Sequence, residues 1–310
     1  MKTAMRAKSK LKPQILSARD ESILRTIYKY RYMTALDITK LLFPDGSHIY
    51  NRDNLSSLAG GDDLKDNAYL FRFSLPSTRL GNHERIFSLG VKGRKFLARD
   101  VGLPVTWYFR PYKLRHLSYS AVLHNLILTR FLVAAQICPE MKVSEIQLCY
   151  ELAKAPGRVQ VGVQAGGKEK KMSVPVIPDA WLDFERVADK KRFPVLLEID
   201  RGMEYSRKFK QHVRSRIVFI ESGQYKQVFG RQAVRVVYIT TGETPEYRET
   251  RRKAMTAWTR EVLAERNMQS WSSLFYFGSL IFDEIYETGF FTDPLWYRTD
   301  LDNPVGLFAS

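Results

Sequence analysis

The stretch VPVIPDAWLDFERVADKKRFPVLLEID, residues 174–200, holds two apolar runs, 174–184 and 193–200, on either side of a charged turn. Both runs are rich in β-branched and aromatic residues and end at turn-forming positions, which predicts two strands. Acids sit at their ends: Pro178-Asp179 opens one, and Glu198-Ile199-Asp200 closes the next. Side chains two apart on a strand share a face, so Glu198 and Asp200 lie on the same side. Asp179, at the bend of the adjacent strand, can meet them. Three carboxylates gathered there are hard oxygen donors of the kind that holds Mg2+ or Mn2+. The plainer reading is acids solvated at strand ends.

Outward from this stretch the pattern is that of one α/β domain over residues 116–245. A long apolar helix at 116–137 (HLSYSAVLHNLILTRFLVAAQI) precedes an alternating strand at 142–152 (KVSEIQLCYEL), and the Gly- and Lys-rich stretch 156–171 reads as a mobile turn. After the two acid-bearing strands come a basic helix at 205–221 and an apolar strand at 234–240 (VRVVYIT). Helix, three strands, helix and strand make a sandwich around a mixed sheet. Lys208 or Lys210, on the basic helix, can supply a cation to the acids. The remaining cations there, Arg201, Arg207, Arg214 and Arg216, read as a solvated face or a phosphate grip. Residues 246–310 form a helical extension dense in aromatics, from Trp271 to Trp296, read as core or subunit contact rather than base stacking.

Residues 17–103 follow a different pattern. Ser17 and Thr34 cap two helices, and a turn at Pro44–Ser47 leads to a third over 48–58. There Ile49, Leu55 and Leu58 face inward, leaving Tyr50, Asn51, Arg52 and Asn54 outward. Two alternating strands, 69–75 and 84–89, flank a polar loop with Arg79, Asn82 and His83, and a short helix closes the segment. Three helices followed by a hairpin is the order of a winged helix-turn-helix, whose third helix enters the DNA major groove. Short polar side chains with one Arg suit base edges, Arg79 and Arg85 suit phosphates, and His83 of the same loop is a further DNA-binding candidate. A winged helix used for protein contact is the alternative.

Charge favours DNA. Of 49 basic and 33 acidic residues, 22 basic and 10 acidic lie in the first 115, so most of the net +16 is concentrated there. Residues 1–16 form a basic arm, and 104–115 a linker. Cys138 and Cys149 form no CxxC pair, and His116 and His124 are unaccompanied by other ligands, so zinc and disulfide frameworks are not indicated. No run approaches eighteen consecutive apolar residues and no h-region follows the basic start, so neither a membrane span nor a secretory signal is expected, and cytoplasmic location is the default.

The spacing of Asp179 and Glu198 resembles the PD-(D/E)xK nuclease core, in which two acids bind magnesium and a lysine two residues past the second acid helps activate water. Here Asp200 stands where that lysine belongs. Along the chain, NRDNLSSL, IFSLGVKGRKFLARDVG, RHLSYSAVLHN, IPDAWLDF, LLEIDRGMEYSRKFKQHVRS and VRVVYITTG together resemble the replication-relaxation family of bacterial plasmid and mobile-element proteins. The resemblance implies an α+β protein, an N-terminal winged helix followed by a restriction-endonuclease-like (PD-(D/E)xK-like) domain. It implies double-stranded DNA binding in plasmid replication, nucleoid or plasmid association, and a relaxase or replication initiator as partner, with a homodimer possible. With Asp200 in the place of that lysine, the second domain reads as a non-catalytic scaffold needing no cofactor. The alternatives are a Mg2+- or Mn2+-dependent endonuclease using Asp179, Glu198, Asp200 and Lys208, a transcription repressor, or an unrelated α/β domain with surface acids.

Overall fold

Helix α1, Ala18–Tyr30, begins where a side-chain oxygen can cap it. Ser17 Oγ accepts the Asp20 N–H at 3.2 Å, and the Asp20 carboxylate accepts the Ser17 N–H at 2.9 Å. Thr34 and Asp37 form the same reciprocal box ahead of α2, Ala35–Leu42, at 3.2 and 2.7 Å. The computed structural model describes residues 16–46, 48–60, 68–74, 85–105, 117–165, 168–200, 202, 205–242, 244–279, 284–286 and 289–308. They belong to two compact units, Met1–Leu126 and Ile127–Ser310. The chain is a mixed α and β protein, with helices and multi-stranded sheets in both units.

In the first unit a third helix, α3, spans His48–Leu58. Strands β1 (Met33–Thr34), β2 (Leu70–Ser74) and β3 (Arg85–Leu89) form an antiparallel sheet in the order β1-β3-β2. Helix α4, Val91–Arg99, follows directly. Ile23, Ile27, Ile38, Leu55, Phe87 and Leu97 are wholly buried and form the core between helices and sheet. Gly93 lets α4 approach the entry to β2: a Cβ there would come within 2.3 Å of the Tyr69 carbonyl oxygen.

Helix α5, Tyr119–Ile137, spans the division between the units. It is the one helix among the described residues long and apolar enough to cross a membrane, although His124, Asn125, Thr129 and Arg130 break its apolar runs. Of the window Ser120–Ile137, 61 % is buried within the protein, and Arg130 has no exposed surface. That is the behaviour of a core helix.

The second unit is organised by a six-stranded sheet. Strands β4 (Met141–Leu148), β7 (Ala180–Arg186) and β8 (Arg192–Asp200) run antiparallel in that order. Strand β9 (Arg235–Thr240) is parallel to β8, β10 (Phe275–Ser279) is parallel to β9, and β11 (Tyr297–Arg298) closes the edge antiparallel. After β4 comes a single turn, α6, Cys149–Leu152. The stretch 156–171, read from sequence as a turn, is largely strand. Gly157–Ala165 (β5) pairs with Lys168–Val176 (β6) as a separate two-stranded sheet. The alternation Val159, Val161, Val163 carried that signal, and the Gly and Lys content masked it. The extension after residue 245 is likewise not only helical, since β10 and β11 complete the main sheet.

Both faces of the sheet are covered, which explains the unbroken burial of Phe193–Leu197 in β8. On one face α7 (Ser206–Glu221), α8 (Gln224–Phe229) and α9 (Pro245–Glu265) pack Phe209, Val213, Ile217, Tyr225, Met255 and Val262 into one core with Leu196, Val236 and Tyr238. On the other, Phe131, Phe184, Phe291 and Phe308 stack edge to face or tilted at 4.7–5.9 Å. Much of the aromatic tail is thus core.

Candidate functional site

The acids meet at one end of β7 and β8, on the face covered by α7 and α9. Leu196 belongs to that face's core, and Glu198 and Asp200 follow it at two-residue spacing. Asp179 stands one residue before β7. Its N–H donates to the Leu197 carbonyl at 3.0 Å, and its Oδ2 accepts the Ile199 N–H at 2.7 Å. These bonds tie the Asp179 carboxylate to the end of the β8 ladder, next to Glu198.

Each acid of β8 faces its own arginine. Arg216, from the apolar stripe of α7, donates Nε to Glu198 Oε1 at 2.7 Å and adds a second contact through Nη2. Both side chains are largely enclosed, at 6 % and 16 % exposure. Arg251, from α9, grips Asp200 with two parallel bonds, Nε to Oδ2 at 2.8 Å and Nη2 to Oδ1 at 2.9 Å. The Gly202 N–H adds a third donor to Asp200 Oδ2 at 3.1 Å.

The electrostatics follow from that enclosure. Burial pushes the Glu198 carboxyl up to about 7; Arg216 opposes the shift, the charge of Asp179 adds to it, and His212 opposes it more weakly. Burial works against the charge of Arg216, but Glu198, Tyr238 and Asp179 outweigh it and hold its pKa above the ordinary value.

A divalent-metal site does not fit this arrangement. Both oxygens of Asp200 are bonded to Arg251, and Glu198 already faces a guanidinium. Among the described residues no group of three His, Cys, Asp or Glu side chains is placed to hold a metal ion. The structure therefore brings Asp179 and Glu198 together and turns Asp200 aside. Lys208 is an exposed residue in the first turn of α7, and Lys210 is ion-paired with Glu261 of α9. Arg214 pairs with Glu265 at 2.5 Å, so the basic face of α7 is in part an interhelical seam rather than a phosphate grip.

Arg251 and His212 are neighbours of the acids that the sequence reading did not name, and Arg216, read there as a solvated face or phosphate grip, turns inward to Glu198. A signal existed: Phe209, Val213, Arg216, Ile217 and Ile220 fall at helical spacing on one stripe, which marks Arg216 as inward.

In the first unit, Arg52 on α3 and Arg85 at the head of β3 are exposed. Asn51 is not outward as its sequence position implied. It is wholly buried, donates to Thr39 Oγ1 at 3.0 Å and accepts from Arg19, so it joins α1, α2 and α3 instead of reaching a ligand. Asn54 is half-buried and donates to Asp20 Oδ1 at 3.1 Å. One residue of helical phase separates an exposed from a buried polar group, and the α1 partners that settle it are more than thirty residues away in sequence. Arg79, His83 and the arm 1–15 lie outside the described residues, as do the side chain of Tyr50 and most of the segment 104–115.

No curated protein and no solved structure matches this chain. A family profile described as replication-relaxation matches residues 24–234. That span starts within α1 and ends just before β9, so it takes in α3 with Arg52 and the strands bearing Asp179, Glu198 and Asp200, together with Arg216. The chain belongs to the replication-relaxation family, which suggests a role in plasmid or mobile-element replication.

Proposed function

We propose that this protein binds double-stranded DNA in plasmid or mobile-element replication, through a winged helix in its first unit, and that its second unit is a non-catalytic PD-(D/E)xK-like scaffold. The observation that carries the DNA reading is the first unit's layout. Three helices are followed by a β2–β3 hairpin, with Arg52 exposed on the third helix, in the segment where the basic excess is concentrated. Helix α5, strands β4, β7 and β8, helix α7 and strand β9 follow the helix, three strands, helix, strand order of the nuclease core, which supports the scaffold reading. Against catalysis stand Arg216 on Glu198 and Arg251 on Asp200. A relaxase or replication initiator is the partner such a scaffold would serve.

The test is a salt titration of affinity for a labelled plasmid fragment. Each phosphate neutralised contributes about −0.9 to the log–log slope, so affinity should fall steeply with salt. Arg52→Ala should relax sequence preference and Arg85→Ala should weaken all sequences alike. A flat salt response would overturn the reading.

A further inference from the structure

We propose that the β5–β6 hairpin is a second duplex-DNA-binding element, a β-ribbon that enters a groove; this rests on the protein's being a DNA binder. The hairpin pairs nine residues with nine, Gly157 opposite Val176 through Ala165 opposite Lys168, with no register shift. At about 3.3 Å per residue it reaches roughly 30 Å. Its base is anchored, since Val159 and Val176 are buried in the core with Phe219 and Phe229. Gly157 lies against the Phe219 ring, where a Cβ would come within 2.3 Å. Among the residues whose exposure is described, Arg158, Gln160, Lys171 and Ser173 are solvent-facing, and Met172 is 48 % exposed. Neither strand joins the six-stranded sheet.

An isolated two-stranded ribbon is marginal in water, so one of this length is suited to a partner. Charge identifies the partner as a polyanion: residues 157–176 hold Arg158, Lys168, Lys170 and Lys171 against the single acid Glu169. By register, positions 168 and 170 belong to one face of the ribbon and positions 158 and 171 to the other. A ribbon inside a groove meets phosphates on both sides, and the major groove of B-DNA, about 12 Å wide, admits a two-stranded ribbon. Gly162, opposite Lys171 in register, is a strand-interior glycine of the kind that permits close approach. Pairing with another protein edge is disfavoured by the same lysines.

The experiment uses the full chain with lysines 168, 170 and 171 changed together to Gln, beside a triple Lys→Arg control and Arg52→Ala, and follows binding to a labelled plasmid fragment across salt. The Gln variant should lower the salt slope by about 2–3, and the Arg control should restore it. A photo-crosslinker at Gln160, in otherwise unaltered protein, should join to the duplex. The proposal is overturned if the Gln variant keeps the original slope and the crosslinker stays unjoined while Arg52→Ala weakens binding; the first-unit reading then survives. A change in sedimentation without a change in slope would instead make the hairpin a self-association element. No salt-dependent binding by the unaltered protein would overturn both.

Discussion

Replacing Arg216 by Met removes the guanidinium that faces Glu198 while keeping an unbranched side chain to fill the space. At pH 8, above the Glu198 value of about 7, the unaltered protein holds a charged pair. Without Arg216 the Glu198 carboxyl is pushed higher still, so the variant must either bury an unpaired charge or take up a proton there. Removing one partner of a buried pair costs about 3–5 kcal/mol. At about 2–4 °C per kcal/mol for a unit of this size, the melting temperature should fall by roughly 10 °C. At pH 5 Glu198 takes up a proton and the penalty should shrink to about 2 kcal/mol, that of one hydrogen bond from a charged donor lost. The unaltered protein has its own pH dependence with a fixed sign. Glu198 has a folded pKa above its ordinary 4.5, so its contribution to stability is complete below that value and is lost as pH rises through about 7. At 1.36 kcal/mol per unit the loss is about 3 kcal/mol. Glu198→Gln should flatten this window, and the double variant Arg216→Met, Glu198→Gln should recover most of the stability lost in the single one. Calorimetry at pH 5, 6, 7 and 8 reads all three effects. A penalty for Arg216→Met that is equal at pH 5 and pH 8, with additive effects in the double variant, would refute the reasoning.

Asn51→Ala should destabilise the first unit by about 1–3 kcal/mol, because Thr39 and Arg19 lose a buried partner, while the folded fraction keeps its sequence preference in a binding-site selection. Gly202→Ala should destabilise the end of β8, since Gly202 has φ +75° and a Cβ would come within 1.9 Å of the Tyr247 hydroxyl; Tyr247→Phe should relieve part of the loss in a melting experiment. Millimolar Mg2+ should leave the melting temperature of the unaltered protein unchanged and raise that of Arg216→Met, Arg251→Met, where the acids no longer face arginine.

Local signals made much of the fold legible. The caps at Ser17 and Thr34 and the alternation in β3 state their structure within a few residues. The apolar run of β9 does the same. The hairpin 157–176 was hidden because glycine and lysine are poor strand formers by composition, although its valines keep strand periodicity. Strands β10 and β11 were hidden for another reason: aromatic density says that a segment is buried, not how it pairs. At the site, the convergence of Asp179 and Glu198 follows from strand alternation. The diversion of Asp200 does not, because Arg251 lies fifty-one residues away on a helix whose docking no local pattern fixes. Asn51 is the same case in the first unit, where α1 and α2 supply the partners that bury it.

The most direct test of the proposal that this protein binds DNA without cutting it is incubation with supercoiled plasmid and Mg2+ or Mn2+, beside an Asp179→Ala, Glu198→Ala variant, with binding followed in the same samples. The account predicts a plasmid that is bound and remains supercoiled with both proteins. Nicking or linearisation by the unaltered protein, lost in the variant, would contradict it and make the acids of β7 and β8 a working nuclease centre.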